Sequence, residues 1–178
     1  GVPHSYPVPH PIAQEAKKVG VRIKSDIDLL FQGQNKASYY CISGTNGKST
    51  TTVMVAHILK NAGKNIQVGG NLGRAVLDLE PLGHDGIYIL EISSFQSELL
   101  QNFKPTISAL LNISPDHIDR HGSMDGYVNA KAQLFKSQSQ GSIAIINDDD
   151  EYCRNIKSMI LRNSKLEVIS ISVDHKVT

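Results

Sequence analysis

The sequence predicts a three-layer α/β fold built on a mostly parallel β-sheet, and two observations support that prediction. First, short apolar segments alternate with longer amphipathic segments from residue 38 onward. Second, a glycine-rich loop separates the first apolar segment from the first long amphipathic one. Short apolar strands that alternate with helices are typical of a parallel sheet with helices on both faces.

Six segments are predicted to be strands because each is short and rich in apolar residues. In chain order they are Tyr39–Ser43, Ile66–Gly69, Ile87–Glu91, Ile107–Leu111, Ile143–Asn147 and Val168–Ile171. The helices predicted between them are Lys48–Ala62, Phe95–Gln101, Met124–Lys136 and Glu151–Leu161.

Less regular elements precede this alternation. The segment Gly1–His10 holds three prolines and two histidines, and we interpret it as an extended linker in preference to a metal site. The elements predicted after it are a helix Ile12–Val19 ended by Gly20, a strand Val21–Lys24, and a helix Asp26–Phe31 capped by Ser25 or Asp26.

The composition is that of a globular protein. The 178 residues suffice for one ordinary domain, with 40% hydrophobic and 20% charged residues. The net charge of +1 gives no indication of a nucleic-acid partner, and no apolar run approaches the roughly 20 residues that span a bilayer. We see no signal-peptide pattern, and the isolated cysteines Cys41 and Cys153 favour a reduced, cytoplasmic protein.

The loop Gly44–Thr50, which reads G-T-N-G-K-S-T, is the strongest functional signal. Glycines let the backbone wrap an anion closely, and amides at a helix start point toward it, so we expect a phosphate at the amides of Asn46–Thr50. Lys48 can neutralise the β- and γ-phosphates of a nucleotide, and Ser49 can ligate magnesium. The following helix has its predicted apolar face at Val55, Ile58, Leu59 and Ala62.

This loop is shorter than the general pattern G-x-x-x-x-G-K-[ST], because the residue five places before Gly47 is Ile42 rather than glycine. Taken alone, the short motif also fits a glycine turn beside a solvated lysine. The order of strand, loop and helix favours nucleotide binding.

Polar residues follow three other predicted strands, at the carboxyl ends where parallel sheets bind ligands. Glu91 ends one strand and is either a second magnesium ligand or a solvated glutamate. His117 belongs to a cluster of five titratable groups that follows another strand. It is either a metal ligand or a surface residue. Asn71, in a glycine-rich loop after a third strand, can hold a phosphate or a sugar hydroxyl.

Lys131 lies on the apolar face of the helix Met124–Lys136. The other members of that face are Met124, Tyr127, Val128, Leu134 and Phe135. The spacing leaves two interpretations open: the side chain reaches water along its stem, or the amine is held inside the fold. Burial lowers the pKa of a lysine, and a neutral amine can react with carbon dioxide to give a carbamate able to hold magnesium.

The short loop and three further stretches together resemble the Mur ligase family of ATP-dependent, amide-forming enzymes. These stretches are Lys24–Phe31 (K-S-D-I-D-L-L-F), Leu90–Gln96 (L-E-I-S-S-F-Q) and Asn112–His121 (N-I-S-P-D-H-I-D-R-H). The stretch S-S-F-Q is similar to the form found in the member that adds D-glutamate. A folylpolyglutamate synthase, a related enzyme, is expected to read G-K-G where this chain reads G-K-S.

The resemblance implies a bacterial, cytoplasmic and monomeric enzyme of peptidoglycan synthesis. It would use ATP and Mg²⁺ to join D-glutamate to UDP-N-acetylmuramoyl-L-alanine through an acyl phosphate, with no nucleic-acid or membrane partner. The implied catalytic residues are Lys48, Glu91, His117 and Lys131. The implied magnesium ligands are Ser49, Glu91, His117 and Lys131 as its carbamate. The implied ATP-binding residues are Gly44, Thr45, Asn46, Gly47, Lys48, Ser49 and Thr50. The implied substrate contacts are Asn71, Ser93, Gln96 and His117.

The resemblance also implies a domain organisation. Residues 1–24 would be the tail of an N-terminal UDP-binding domain with its linker, and residues 25–178 an incomplete central ATP-binding domain. A C-terminal domain would be absent, so we do not expect the chain alone to make product. The alternatives are another Mur ligase, an enzyme like folylpolyglutamate synthase, and a P-loop switch, kinase or nucleotide-binding module of other function.

Overall fold

Six strands form one sheet in which every pair of neighbours is parallel. They are β1 (Ser38–Ser43), β2 (Ile66–Gly70), β3 (Ile87–Glu91), β4 (Ile107–Leu110), β5 (Ile143–Asn147) and β6 (Glu167–Ile171). Their order across the sheet is β2-β3-β1-β4-β5-β6. All six predicted strands are confirmed, with ends that differ by one residue at most.

The computed structural model describes residues 10–71, 73–163 and 166–177. Apart from His10, the predicted extended segment Gly1–His10 lies outside the described residues. The α-helices are α1 (Pro11–Lys18), α2 (Asp26–Gly33), α3 (Lys48–Asn61), α4 (Ser94–Ser97), α5 (Ile118–His121), α6 (Met124–Lys136) and α7 (Glu151–Asn163). Within these residues, no helix is both long and apolar enough to cross a bilayer.

Two apolar clusters, one on each face of the sheet, confirm the three-layer prediction. On one face, Ala56 of α3 packs with Ile42 and Ile89 of the central strands. On the other face, helices α2, α6 and α7 bury a larger cluster that includes Tyr39 and Leu110. Parallel strands covered on both faces bury nearly all of their side chains, which explains their continuous apolar sequences.

Helix α3 meets the sheet through a face rotated from the predicted one. The residues that face the strands are Thr52, Val55, Ala56 and Leu59. Ile58 is 61% exposed and Ala62 is also exposed, so their assignment to the apolar face was wrong. The small side chain of Ala56 lets the helix lie close to the sheet, where Ile58 would hold it away.

The helix predicted at Phe95–Gln101 is also wrong in length, because α4 ends at Ser97. The carboxylate of Asp28, on α2, accepts hydrogen bonds from the backbone amides of residues 101, 102 and 103 at 3.3, 3.0 and 3.0 Å. Because those backbone amides donate to Asp28, they are not available to donate to the carbonyls of a longer α4. Asp28 is 1% exposed, so it ties α2 to the loop that leads into β4.

Two other local predictions differ from the structure. Residues 21–24 form no strand in the described structure, and Val21 and Ile23 are exposed because no neighbouring strand pairs with them. Helix α5 and a 3₁₀ turn at Val76–Asp78 escaped the sequence analysis. Each is about one turn long, too short to show a helical period.

Replacing Asp28 with alanine is expected to destabilise the protein by about 3 kcal/mol, because three backbone amides, among them that of the buried Phe103, lose a charged acceptor. Urea unfolding followed by circular dichroism measures this change. The matched control is Asp26→Ala in the same helical turn, where Oδ1 accepts from the adjacent Ile27 amide. We expect that control to lose less than about 1 kcal/mol. Equal losses in the two variants would show that Asp28 is not a structural tie.

Candidate functional site

Two glycines shape the loop between β1 and α3. Gly44 has a φ of +154°, and a Cβ added to it would lie 3.1 Å from the Cβ of Leu111. Gly47 has a φ of +79°, in the left-handed region, and directly precedes the first residue of α3. Larger residues would be strained at both positions, and the glycines let the chain turn sharply from strand into helix.

The first turn of α3 supplies groups that can bind an anion. The amides of residues 48–50 lie too early in the helix to bond an intrahelical carbonyl, and they sit at the positive end of the helix dipole. The Lys48 ammonium donates to the Thr45 carbonyl at 2.8 Å, which folds it over the loop. The predicted phosphate-binding groups therefore meet at the carboxyl end of β1.

Asn112 braces this loop from the neighbouring strand. Its Oδ1 accepts from the amides of Thr45 and Asn46 at 3.1 and 2.8 Å, and its Nδ2 donates to the Asn46 carbonyl at 3.0 Å. The backbone amide of Asn46 is thus hydrogen-bonded within the protein, and an anion bound there would take the place of the Asn112 Oδ1 atom. Asn112 is not among the predicted site residues, although its position just after β4, the neighbour of β1, was the available signal.

Glu91 joins the loop to the end of β2. Glu91 is 2% exposed. Its Oε2 accepts from the Ser49 hydroxyl at 2.7 Å, and its Oε1 accepts from the side-chain Nδ2 of Asn71 at 2.8 Å. Glu91 is therefore not a solvated surface glutamate. A buried carboxylate beside a hydroxyl is an oxygen donor set of the kind that Mg²⁺ prefers, so these residues fit that ion.

A cavity of about 90 Å³ opens beside the loop. Its walls come from the loop, from α4 and α6, and from the segment after β4. The lining residues are Gly44, Lys48, Asn71, Ser93, Ser94, Phe95, Asp116, His117, Tyr127 and Lys131. Most of the residues predicted for substrate and metal are thus brought together. Four lining residues were not among the predicted site residues: Ser94, Phe95, Asp116 and Tyr127.

Gln96 stands behind this cavity and does not line it. It is buried, and its Oε1 accepts from the amide and the hydroxyl of Ser93, both at 3.1 Å. The Ser93 hydroxyl in turn accepts from the backbone N–H of Gln96, so the two residues form a capping box at the start of α4. Gln96 fixes Ser93 at the cavity wall.

His117 adopts a conformation that is uncommon for a residue other than glycine. Its φ is +51° and its ψ is +33°, directly before α5 begins. The turn brings the imidazole against the Phe95 ring, with ring centroids 4.7 Å apart, and 3.4 Å from the Asp116 carboxylate. A strained backbone that aims a side chain into a cavity is frequent at functional sites.

The Lys131 amine is held inside the fold. The residue is 1% exposed, and its Nζ donates to the Gly44 carbonyl at 2.8 Å and lies 4.7 Å from the centre of the Tyr127 ring. Burial, aided by the nearby Lys48 ammonium and opposed by Asp116, lowers the pKa of Lys131 to about 7. Of the two interpretations left open by spacing, the structure excludes the one in which the side chain reaches water.

Among the described residues, no group of three or more histidine, cysteine, aspartate or glutamate side chains is placed to hold a metal ion by itself. Ser49 with Glu91, and His117 with Lys131, are two separate pairs. Any ion held at either pair would complete its coordination with oxygens from bound phosphates, from water or from a modified lysine.

Residues 42–178 match the family model described as the Mur ligase middle domain. A relative from Rhodospirillum rubrum, named UDP-N-acetylmuramoylalanine–D-glutamate ligase, is 45% identical over 97% of this chain and 36% of its own length. A relative of the same name from Caulobacter vibrioides is 43% identical over 97% of this chain and 38% of its own length. The chain therefore spans little more than a third of these relatives.

Solved structures share the fold at lower identity. A UDP-N-acetylmuramoyl-L-alanyl-D-glutamate–2,6-diaminopimelate ligase superposes with a TM-score of 0.66 at 23% identity, over 85% of this chain and 36% of that one. The MurF ligase of Thermotoga maritima, in complex with ADP, superposes with a TM-score of 0.63 at 17% identity, over 86% of this chain and 38% of that one. At these identities the likeness supports the fold alone.

Lys131→Met is expected to stabilise the protein near pH 7 by a few kcal/mol, because an amine whose folded pKa is lowered destabilises the folded state. The unfolded state binds more protons than the folded state between pH 7 and about 10, so wild-type stability should rise across that range. The advantage of the variant should therefore be largest at or below pH 7 and shrink toward pH 10. Urea unfolding at several pH values tests this, and a difference that does not change with pH would contradict it.

Proposed function

The chain belongs to the Mur ligase family, and from that premise we propose that the polypeptide carrying it adds D-glutamate to UDP-N-acetylmuramoyl-L-alanine with the energy of ATP. One observation carries the proposal: a phosphate loop and a buried amine of lowered pKa, Lys131, share one cavity at the carboxyl edge of the sheet. The names of the curated relatives support the choice of D-glutamate.

Such a ligase works in two steps. The substrate carboxylate attacks the γ-phosphate of ATP, which releases ADP and gives an acyl phosphate. The amine of D-glutamate then attacks the acyl carbon, an amide bond forms, and phosphate leaves. Because anions must approach one another in the first step, positive charge between them is the main requirement.

In the first step, Lys48 moves its ammonium from the Thr45 carbonyl to the β- and γ-phosphates, where the first-turn amides of α3 also donate. Magnesium, when bound, supplies further positive charge between the phosphates and the carboxylate. Ser49 and Glu91 would hold one ion, and His117 with a carbamate on Lys131 would hold the second.

The carbamate requires a neutral amine, which the environment of Lys131 favours at neutral pH. The Lys131 nitrogen attacks the carbon of carbon dioxide, an N–C bond forms, and one proton passes to solvent. The product is a carbamate, which places a negatively charged carboxylate at the end of the Lys131 side chain, where an amine had been beside Lys48. Asn71, Ser93 and His117 would contact the muramoyl substrate or its phosphates, with Gln96 holding Ser93.

We also propose that residues 1–24 belong to the end of a UDP-binding domain and residues 25–178 to the ATP-binding domain. The burial of the two first helices supports this division. Helix α1 buries no residue, whereas α2 buries Ile27, Asp28 and Leu30 against the sheet domain. The localisation that this function requires is cytoplasmic, where ATP and the UDP-linked substrate are made.

The function is tested with the complete polypeptide that carries this chain. ATP hydrolysis is measured with UDP-N-acetylmuramoyl-L-alanine and each candidate amino acid in turn, and we expect D-glutamate alone to stimulate it. Stimulation by another amino acid would indicate a different ligase. Hydrolysis that no amino acid stimulates would favour a P-loop module of other function.

Lys48→Ala is expected to weaken binding of magnesium-ATP by tenfold or more, since a charged hydrogen bond contributes about 1.5–3 kcal/mol. Isothermal titration calorimetry measures the affinity. Lys60→Ala is the matched control, because Lys60 is exposed near the other end of α3 and its loss removes the same charge. Unchanged affinity in Lys48→Ala, or an equal loss in the control, would exclude the role of Lys48.

Lys131→Ala is expected to abolish most ligase activity in the complete enzyme, and short carboxylates such as acetate should restore part of it by replacing the carbamate. Turnover is measured with increasing carboxylate. Lys136→Ala, an exposed lysine on the same helix, should keep full activity with no response to carboxylate. Full activity of Lys131→Ala in buffer alone would remove the carbamate from the mechanism.

A further inference from the structure

The side chains of Ser94, His121 and Glu98 form a series that starts at the cavity wall and extends behind it. None of the three takes part in the mechanism above. The Nε2 of His121 is 3.0 Å from the Ser94 hydroxyl, and its Nδ1 is 3.5 Å from the Glu98 carboxylate. The other carboxylate oxygen of Glu98 forms an ion pair with the Arg120 guanidinium. Carboxylate, imidazole and hydroxyl are thus connected in series, and the hydroxyl end belongs to a residue of the cavity wall.

The imidazole is fixed in orientation. The His121 side chain is 3% exposed and stacks on the Phe95 ring, with centroids 5.6 Å apart and planes 16° apart. The Tyr127 ring lies on another side, with centroids 5.4 Å apart. Both aromatic residues also line the cavity, so the ring cannot rotate without moving the cavity wall.

The neighbours determine which nitrogen of the neutral ring carries the proton. Burial lowers the pKa of His121. Glu98 opposes this effect, Arg120, His117 and Lys131 add to it, and the net direction is downward, so the ring is neutral at neutral pH. A carboxylate beside Nδ1 favours a proton on that nitrogen. Nε2 is then an acceptor, and the Ser94 hydroxyl must donate to it.

This donation has a consequence for the cavity. Ser94 is 2% exposed, and a hydroxyl whose hydrogen is committed to His121 can offer only oxygen lone pairs to a ligand. The Lys48 ammonium and, before its carbamate forms, the Lys131 amine are donors in the same wall, and the Asp116 carboxylate is a second acceptor. An oriented acceptor in such a site recognises an N–H group.

We propose that His121 is a positioning residue that fixes the Ser94 hydroxyl as an acceptor for the attacking amine of the incoming amino acid. The inference rests on the proposed ligase function for the identity of that amine. The direction of the hydrogen bond between Ser94 and His121 is independent of any activity. The two parts are therefore tested separately.

The direction is tested on the chain itself by two-bond ¹H–¹⁵N correlation NMR of its histidines. We expect the His121 ring near neutral pH to be neutral, with the proton on Nδ1 and none on Nε2. We also expect Ser94→Ala to shift the Nε2 resonance of His121. A proton on Nε2 would mean that Ser94 accepts from His121, and it would overturn the proposal whatever the enzyme does.

The role of Ser94 is tested by steady-state kinetics of the complete ligase. Ser94→Ala and His121→Phe are each expected to raise the KM for the amino acid about tenfold, and to leave the KM for ATP unchanged, because one neutral hydrogen bond is lost. In the double variant, the KM for the amino acid should be no higher than in the single variant with the higher KM. His121→Gln, whose amide oxygen can accept from Ser94, should recover part of the loss, and His57→Phe on the exposed face of α3 should have no effect.

Three results would contradict the proposal. They are additive losses in the double variant, a rise in the KM for the UDP-linked substrate in place of the amino acid, and wild-type constants in His121→Phe. A wild-type enzyme that makes no product with any amino acid would instead refute the proposed function, and the NMR result would still report on the hydrogen bond.

Discussion

The hydrogen bond from the Lys131 amine to the Gly44 carbonyl connects the two parts of the site. It joins α6, which carries the buried amine, to the loop that leads into the first turn of α3. Burial of the amine beside the Tyr127 ring destabilises its charged form, and the nearby Lys48 ammonium adds to that effect. The same packing that forms the core therefore produces an amine that is available for chemistry near neutral pH.

The parallel sheet provides the other constraint. Because all six strands run in one direction, their carboxyl ends meet at one edge, and four successive segments of chain deliver their polar residues there. Ser49 and Asn71 meet on Glu91, and Asn112 reaches back to the loop. Hydrogen bonds of this kind hold the site in place before a ligand arrives, which reduces the ordering that binding requires.

The strands, the long helices and the phosphate loop could be predicted because each follows from local pattern: apolar runs, helical spacing, and glycines between them. The burial of Lys131 was only one of two possibilities, since spacing places a residue on a face and does not say how deeply that face is covered. Gln96 bonds to Ser93 only three residues away, in a capping-box spacing that the sequence itself shows. The early end of α4 and the contacts of Asn112 with the loop depend on partners distant in sequence, among them Asp28 on α2. A single sequence carries no local signal for such contacts.

An NMR titration of the Lys131 side chain measures the lowered pKa of its amine directly, with the signal assigned by comparison with Lys131→Met. Selective ¹³C or ¹⁵N labelling of lysine follows the protonation of each amine from pH 5 to 11. We expect Lys131 to titrate near pH 7, well apart from the exposed lysines. A Lys131 that titrates with the others, near the ordinary value of about 10.4, would mean that the amine is solvated and charged at neutral pH, and would contradict the account.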